Sequence, residues 1–147
     1  SASQIRASSI WIAGYLLMHA GATLRLACYR ALGRFFTFEL VIKKGHVLVT
    51  SGPYSIVRHP GYTAVWMITI GVLLCQTGPG SWYMECVGWS SVASRVFLVV
   101  WVSGCMFIPA GLMARVRVED AILLQEFGHE WTLYSKSTPW KLFPYLY

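Results

Sequence analysis

The segment from Val92 to Met113 carries one charge, Arg95 near its start, and otherwise only apolar or small residues. A run of that length satisfies its backbone as a helix crossing a bilayer, or else demands a very large soluble core. Two further stretches have the same character. Residues from about 10 to 28 are apolar except for His19 and Arg25, and residues 62–78 hold no charge at all. A span needs roughly 20 apolar residues. The middle stretch is therefore marginal, and has to borrow Gly78 and Pro79 or sit where the bilayer thins. Gly71 and Gly104 would permit close helix approach. The expectation is an all-α, polytopic integral membrane protein forming a single domain over residues 1–147, with spans at about 10–28, 62–78 and 92–113.

Composition closes the alternatives. Of 147 residues, 56% are hydrophobic and 12% charged, about half the roughly 25% charged of an ordinary soluble domain. Disorder is excluded, because such a chain cannot stay unburied. Twelve Lys and Arg against six Asp and Glu give a net charge of +6, but the basic residues are scattered singly, not massed in a stripe, so no nucleic-acid partner is expected. Cys28, Cys75, Cys86 and Cys105 form no C-x-x-C pair and no His stands at zinc-finger spacing, so neither a metal site nor a disulfide framework is expected. No small-residue cleavage site follows the first apolar stretch, which reads as a span and not as a leader. The opening Ser1-Ala2-Ser3-Gln4 lacks Met, as expected of a fragment or a processed chain.

The remaining charges set an orientation. Arg30, Arg34, Lys43, Lys44 and Arg58 lie between the first and second stretches, and Arg115, Arg117, Lys136 and Lys141 follow the third. The link between the second and third holds Glu85 and no Lys or Arg before Arg95. Lys and Arg favour the cytosolic side, so the last two spans form a hairpin dipping in from the cytosol, and both large polar segments face it.

Those segments carry the candidate chemistry. Residues 46–54, His-Val-Leu-Val-Thr-Ser-Gly-Pro-Tyr, read as extended chain entering a turn at Ser-Gly-Pro. Arg58-His59-Pro60-Gly61-Tyr62 follows, and Pro60 excludes helix immediately before it. From about Leu112 to Tyr134 the pattern is that of an amphipathic helix, broken or capped at Gly128. Arg58 and His59 admit two readings: a cradle for a polar cofactor at the membrane surface, or an Arg facing headgroups beside a His bonded to a carbonyl. Arg115 and Glu119, at i and i+4, share a helix face. They are either a surface ion pair or, at the depth where the third span leaves the bilayer, a functional pair. Asp120 and Arg117 point elsewhere and are read as solvated. Pro139 and Pro144 with Trp140, Phe143, Tyr145 and Tyr147 suggest an interfacial anchor. G-x-S-x-G and the nucleotide-binding glycine loops are absent. Any reaction must therefore rest on positioning a substrate that is already nucleophilic.

These residues bring a family into view. The run from His46 through Thr50-Ser51-Gly52-Pro53-Tyr54 to Arg58-His59-Pro60-Gly61-Tyr62 resembles the cofactor region of isoprenylcysteine carboxyl methyltransferases. Arg115-Val-Arg-Val-Glu119-Asp120, Phe127-Gly128-His-Glu-Trp-Thr-Leu-Tyr134 and Pro139 resemble that family's C-terminal helix and tail. The resemblance runs from about Arg25 onward, in order and spacing. It implies an integral membrane enzyme, in eukaryotes of the endoplasmic reticulum, that uses S-adenosyl-L-methionine to methylate the C-terminal carboxylate of a prenylated cysteine. By the same resemblance the cofactor lies on segments 46–62 and 115–134. His46, Val47, Leu48 and Val49 contact it largely through backbone, joined by Tyr54 and by His59, Pro60, Gly61 and Tyr62. Glu119 binds the cofactor and Arg115 the substrate, the two forming the catalytic pair. Gly61 stands where the family often has Ser, and Glu39 where some members have Gln. The chain is shorter than eukaryotic members, which carry additional N-terminal spans.

Two other membrane enzymes remain in view. A phospholipid N-methyltransferase would place an amine beside Arg115, which repels its ammonium form. Membrane sterol reductases, which use NADPH, share a similar R-H-x-x-Y region, and the tail from Trp140 to Tyr147 is reminiscent of theirs. A non-catalytic scaffold would bind neither cofactor.

Overall fold

The computed structural model describes residues 2–35 and 47–147. Every regular element among them is helical: α1 (Ser9–Leu32), α2 (Pro60–Thr77), α3 (Val92–Phe127) and α4 (His129–Ser137), with short helical turns between. Among the described residues two stretches, Ser9–Phe35 and Val92–Phe127, are long and apolar enough to cross a membrane. α2 has 18 residues, about 27 Å of helix, slightly less than a bilayer core of roughly 30 Å.

Local chemistry sets the helix boundaries. The Ser8 hydroxyl accepts the Trp11 amide at 3.2 Å and so caps the start of α1. Ser91 caps α3 through the Ala93 amide at 3.1 Å. Pro60 opens α2, where a missing N–H costs nothing. α2 therefore gains its length at the N-terminal end. It does not borrow Gly78 and Pro79, which lie in the turn beyond Thr77. The helical pattern read from Leu112 is no separate element either, because α3 runs unbroken through it to Phe127. Gly128, at φ +50°, ends that helix, and α4 begins one residue later.

The chain forms two compact units, Ser1–Ala22 with Val65–Ala110, and Thr23–Ala64 with Gly111–Tyr147. Each long helix contributes to both. In the first unit α1 and α2 pack antiparallel at very short range. A Cβ on Gly71 would lie 2.6 Å from the Gly14 carbonyl oxygen, and Ile10 fills the space against Gly78. Gly104 does not act this way: nothing described lies within 4 Å of where its Cβ would be. The turn Tyr83–Val87 joins α2 to α3, and the buried Tyr83 hydroxyl donates to the Ser94 carbonyl.

The second unit is organised around the start of α2. Arg25, near the end of α1, donates from Nη1 to the Gly61 carbonyl at 2.9 Å and from Nε to the Tyr29 hydroxyl at 2.7 Å. The Arg58 and His59 amides donate to the Trp140 and Lys141 carbonyls, each at 2.9 Å, and the Thr63 hydroxyl donates to the Leu142 carbonyl. Leu142 is fully buried. The tail is thus packed against residues 58–63 rather than serving only as an interfacial anchor, although Tyr145 and Leu146 remain exposed.

Candidate functional site

The second unit brings the start of α2 and the cytosolic-predicted part of α3 together. Residues 47–50 lie in no helix or strand. Gly52–Ser55 is a single 3₁₀ turn, with Pro53 near its start and the Ser55 hydroxyl returning to the Gly52 carbonyl at 2.8 Å. Tyr54 is half-buried. Its carbonyl accepts the Tyr134 hydroxyl of α4 at 2.7 Å, which ties this turn to the end of the chain. Burial, with the nearby Cys28 thiol and the Glu119 charge, pushes the Tyr54 phenol well above its ordinary value. Burial likewise raises Tyr134 to about 12. Both therefore act as neutral hydroxyls near pH 7.

Arg58 and His59 do not match the reading of an Arg facing headgroups beside a His bonded to a carbonyl. Both engage Asp120. Arg58 Nη1 lies 3.1 Å from Asp120 Oδ2, and His59 Nε2 lies 2.7 Å from Oδ1. The Arg58 guanidinium also donates from Nη2 to the Pro139 carbonyl at 3.1 Å and lies over the Trp131 ring. Asp120 is thus not solvated: its side chain is 16% exposed and holds two partners from the residues just before α2. The sequence held no signal for this, because adjacent acids on a helix point about 100° apart and their partners lie some sixty residues away.

Glu119 meets the same segment from its other side. Its Oε2 accepts the Tyr62 hydroxyl and lies 3.8 Å from His59 Nδ1. The His59 and Tyr62 rings stack at 5.6 Å and 11°. The Glu119 side chain is 27% exposed, and its Oε1 bonds no described residue. Arg115, one turn before Glu119, is near enough to Tyr62 to act on its hydroxyl electrostatically, as does Arg25. Arg25 is not among the candidate site residues read from the sequence, where it stands only as a charge in the first apolar stretch.

Of the sequence-predicted site residues, the structure brings His59, Tyr62, Arg115 and Glu119 into one neighbourhood, with Tyr54 close enough to sense the Glu119 charge. Pro60 and Gly61 form the first turn of α2, and the Gly61 carbonyl is occupied by Arg25. Val47 is exposed and Leu48 and Val49 are half-buried. His46 and Glu39 lie outside the described residues.

Two observations bear on whether S-adenosyl-L-methionine suits these residues. The backbone groups of residues 47–50 make no backbone hydrogen bond to another described residue, so they are open to a polar partner. The partly exposed Glu119 carboxylate keeps one oxygen for an amino or hydroxyl group. The donor and acceptor set fits.

A profile of the isoprenylcysteine carboxyl methyltransferase family matches residues 14–102, which include segment 47–62 but not Arg115 or Glu119. The chain is 27% identical over 135 residues to protein-S-isoprenylcysteine O-methyltransferase B of Arabidopsis thaliana, covering 88% of this chain and 58% of that protein. It is 30% identical over 132 residues to the Homo sapiens protein-S-isoprenylcysteine O-methyltransferase, covering 87% and 39%. It is also 29% identical over 105 residues to a Delta(14)-sterol reductase of Methylotuvimicrobium alcaliphilum, covering 71% and 20%. The chain thus spans little more than half the length of these relatives, or less. No solved structure matches it.

Proposed function

Because the chain belongs to the isoprenylcysteine carboxyl methyltransferase family, we propose that it methylates the C-terminal carboxylate of prenylated cysteine in proteins, using S-adenosyl-L-methionine. We place it as a multi-pass protein of the endoplasmic reticulum membrane with its active site facing the cytosol. The observation that carries this reading is the meeting of His59 and Tyr62, from the first sequence-predicted segment, with Glu119 of the second.

When bound, S-adenosyl-L-methionine supplies an electrophilic methyl group on a sulfonium. The chain's part is to bind and align. Residues 46–49 would offer backbone groups to the cofactor, Tyr54 and the 59–62 turn would line its site, and Glu119 would take one of its polar hydrogens. Arg115 grips the acceptor carboxylate, because a guanidinium matches a carboxylate fork. A carboxylate has a pKa near 4 and is ionised at neutral pH, so no general base is required. What remains is in-line placement of two reactants, which is where holding them together contributes most. The prenyl chain enters from the bilayer.

Calorimetric titration of the purified chain separates the readings. Binding of S-adenosyl-L-methionine is expected, weakened by roughly tenfold or more in Glu119→Ala as one charge-assisted hydrogen bond is lost. Unchanged affinity in that variant removes Glu119 from the site. Binding of NADPH in place of S-adenosyl-L-methionine would replace this reading with a reductase, the alternative favoured by the similarity to the Delta(14)-sterol reductase.

A further inference from the structure

We propose that Asp120 is a positioning residue of this site: it holds the His59 ring with its proton on Nε2, so that the Nδ1 edge is turned toward Glu119. The inference deepens the proposed function and rests on it for its effect on the cofactor.

The geometry is that of one ring spanning two carboxylates. His59 Nε2 lies 2.7 Å from Asp120 Oδ1, while Nδ1 lies 3.8 Å from Glu119 Oε2. An ionised Asp only accepts hydrogen bonds, so the shorter contact requires Nε2 to carry a proton. The partner of one ring nitrogen decides what the other presents. The His59 side chain is 4% exposed, which leaves little water to substitute for either partner. Asp120 is itself braced: its second oxygen takes Arg58 Nη1 at 3.1 Å, and Arg58 is anchored by the Pro139 and Trp140 carbonyls. On the opposite side Tyr62 stacks on the ring and donates to the Glu119 oxygen that faces it. The order of support runs from Arg58 to Asp120 and then to His59, while Tyr62 holds Glu119. Asp120 acts through His59, and nothing requires it to touch the cofactor.

Removing Asp120 leaves a buried imidazole N–H without its acceptor. The ring then turns or changes tautomer, and the His59 edge that lines the proposed cofactor site is no longer held in place. The test is a double-mutant cycle on the whole chain in detergent or nanodiscs, read by calorimetric titration with S-adenosyl-L-methionine. Asp120→Ala is expected to weaken binding by about tenfold or more, with KM for a farnesylcysteine analogue changed by less than about twofold. The variant carrying both Asp120→Ala and His59→Ala should bind no more weakly than His59→Ala alone, because residues acting through one another are not additive. Fully additive losses overturn the proposal, as does wild-type affinity in Asp120→Ala. Asp120→Asn keeps the shape and one acceptor oxygen and serves if the alanine variant does not fold. It should fall between wild type and His59→Ala. Side-chain ¹⁵N NMR of His59 in cofactor-free protein gives an independent readout. The Nε2–H ring is expected in wild type, and a neutral Nδ1–H ring there overturns the proposal. A wild-type chain that binds no S-adenosyl-L-methionine overturns the proposed function, while the NMR measurement still decides the Asp120–His59 arrangement.

Discussion

At Arg115 the difference between a guanidinium and an ammonium is a difference of shape. Both are cations, but only arginine presents a planar fork that a carboxylate can accept at two points. If Arg115 holds the acceptor, Arg115→Lys should lower methyl transfer to a farnesylcysteine analogue by about tenfold to hundredfold, the worth of one charge-assisted hydrogen bond. Cofactor affinity should stay nearly intact. Arg115→Ala should cost more, since the carboxylate then enters unpaired. A role confined to a helix-surface ion pair predicts well under ~1 kcal/mol instead. Transfer of labelled methyl, measured beside cofactor binding in the same variants, distinguishes the two, and wild-type turnover in Arg115→Ala would end the substrate-binding role. The neighbouring acids show how finely position divides work. Glu119 and Asp120 differ by one residue, yet the first keeps an oxygen available and the second is spent on Arg58 and His59.

Among the elements, the pairing of α1 with α2 depends most directly on single residues. The two helices approach so closely at Gly14 and Gly71 that a methyl group on Gly71 would meet the Gly14 carbonyl oxygen at 2.6 Å and the Met18 side chain at the same distance. A carbonyl on a helix cannot rotate out of the way, so Gly71→Ala must push the helices apart. Overpacking of this kind costs about 1–3 kcal/mol. Thermal unfolding in detergent should show a clear loss for Gly71→Ala and little change for Gly104→Ala, whose Cβ would meet nothing described within 4 Å. Equal effects at the two positions would contradict the packing described for α1 and α2. Helix identity was legible because apolar length is a local property that accumulates along the chain. Helix ends were less so. Pro60 serves as both a stop and a start, and the polar stretch after Met113 continues α3 because nothing between it and Gly128 breaks the helix.

For the whole molecule, charge is the coarse variable. Ten of the twelve Lys and Arg belong to the second unit and only Arg6 and Arg95 to the first. Basic residues are retained on the cytosolic side, so the proposed orientation predicts that the segments carrying them face the cytosol. Single cysteines introduced at Glu85 and Lys136, after replacement of the native four, are expected to react with an impermeant reagent from opposite sides of a sealed membrane. Labelling of both from one side would break the proposed hairpin and remove the cytosolic placement of the site. The sequence by itself determined the helical class, the apolar stretches, the division of charge and the segments bearing the family's motifs, because each is carried by residues close together in the chain. Only the tertiary structure decided that Asp120 receives Arg58 and His59, that Arg25 reaches Gly61, and that the tail closes over residues 58–63. Those partners are separated by 36 to 82 residues. Hydrogen bonds over such distances leave no periodicity in the sequence and exist only once packing has excluded water from them.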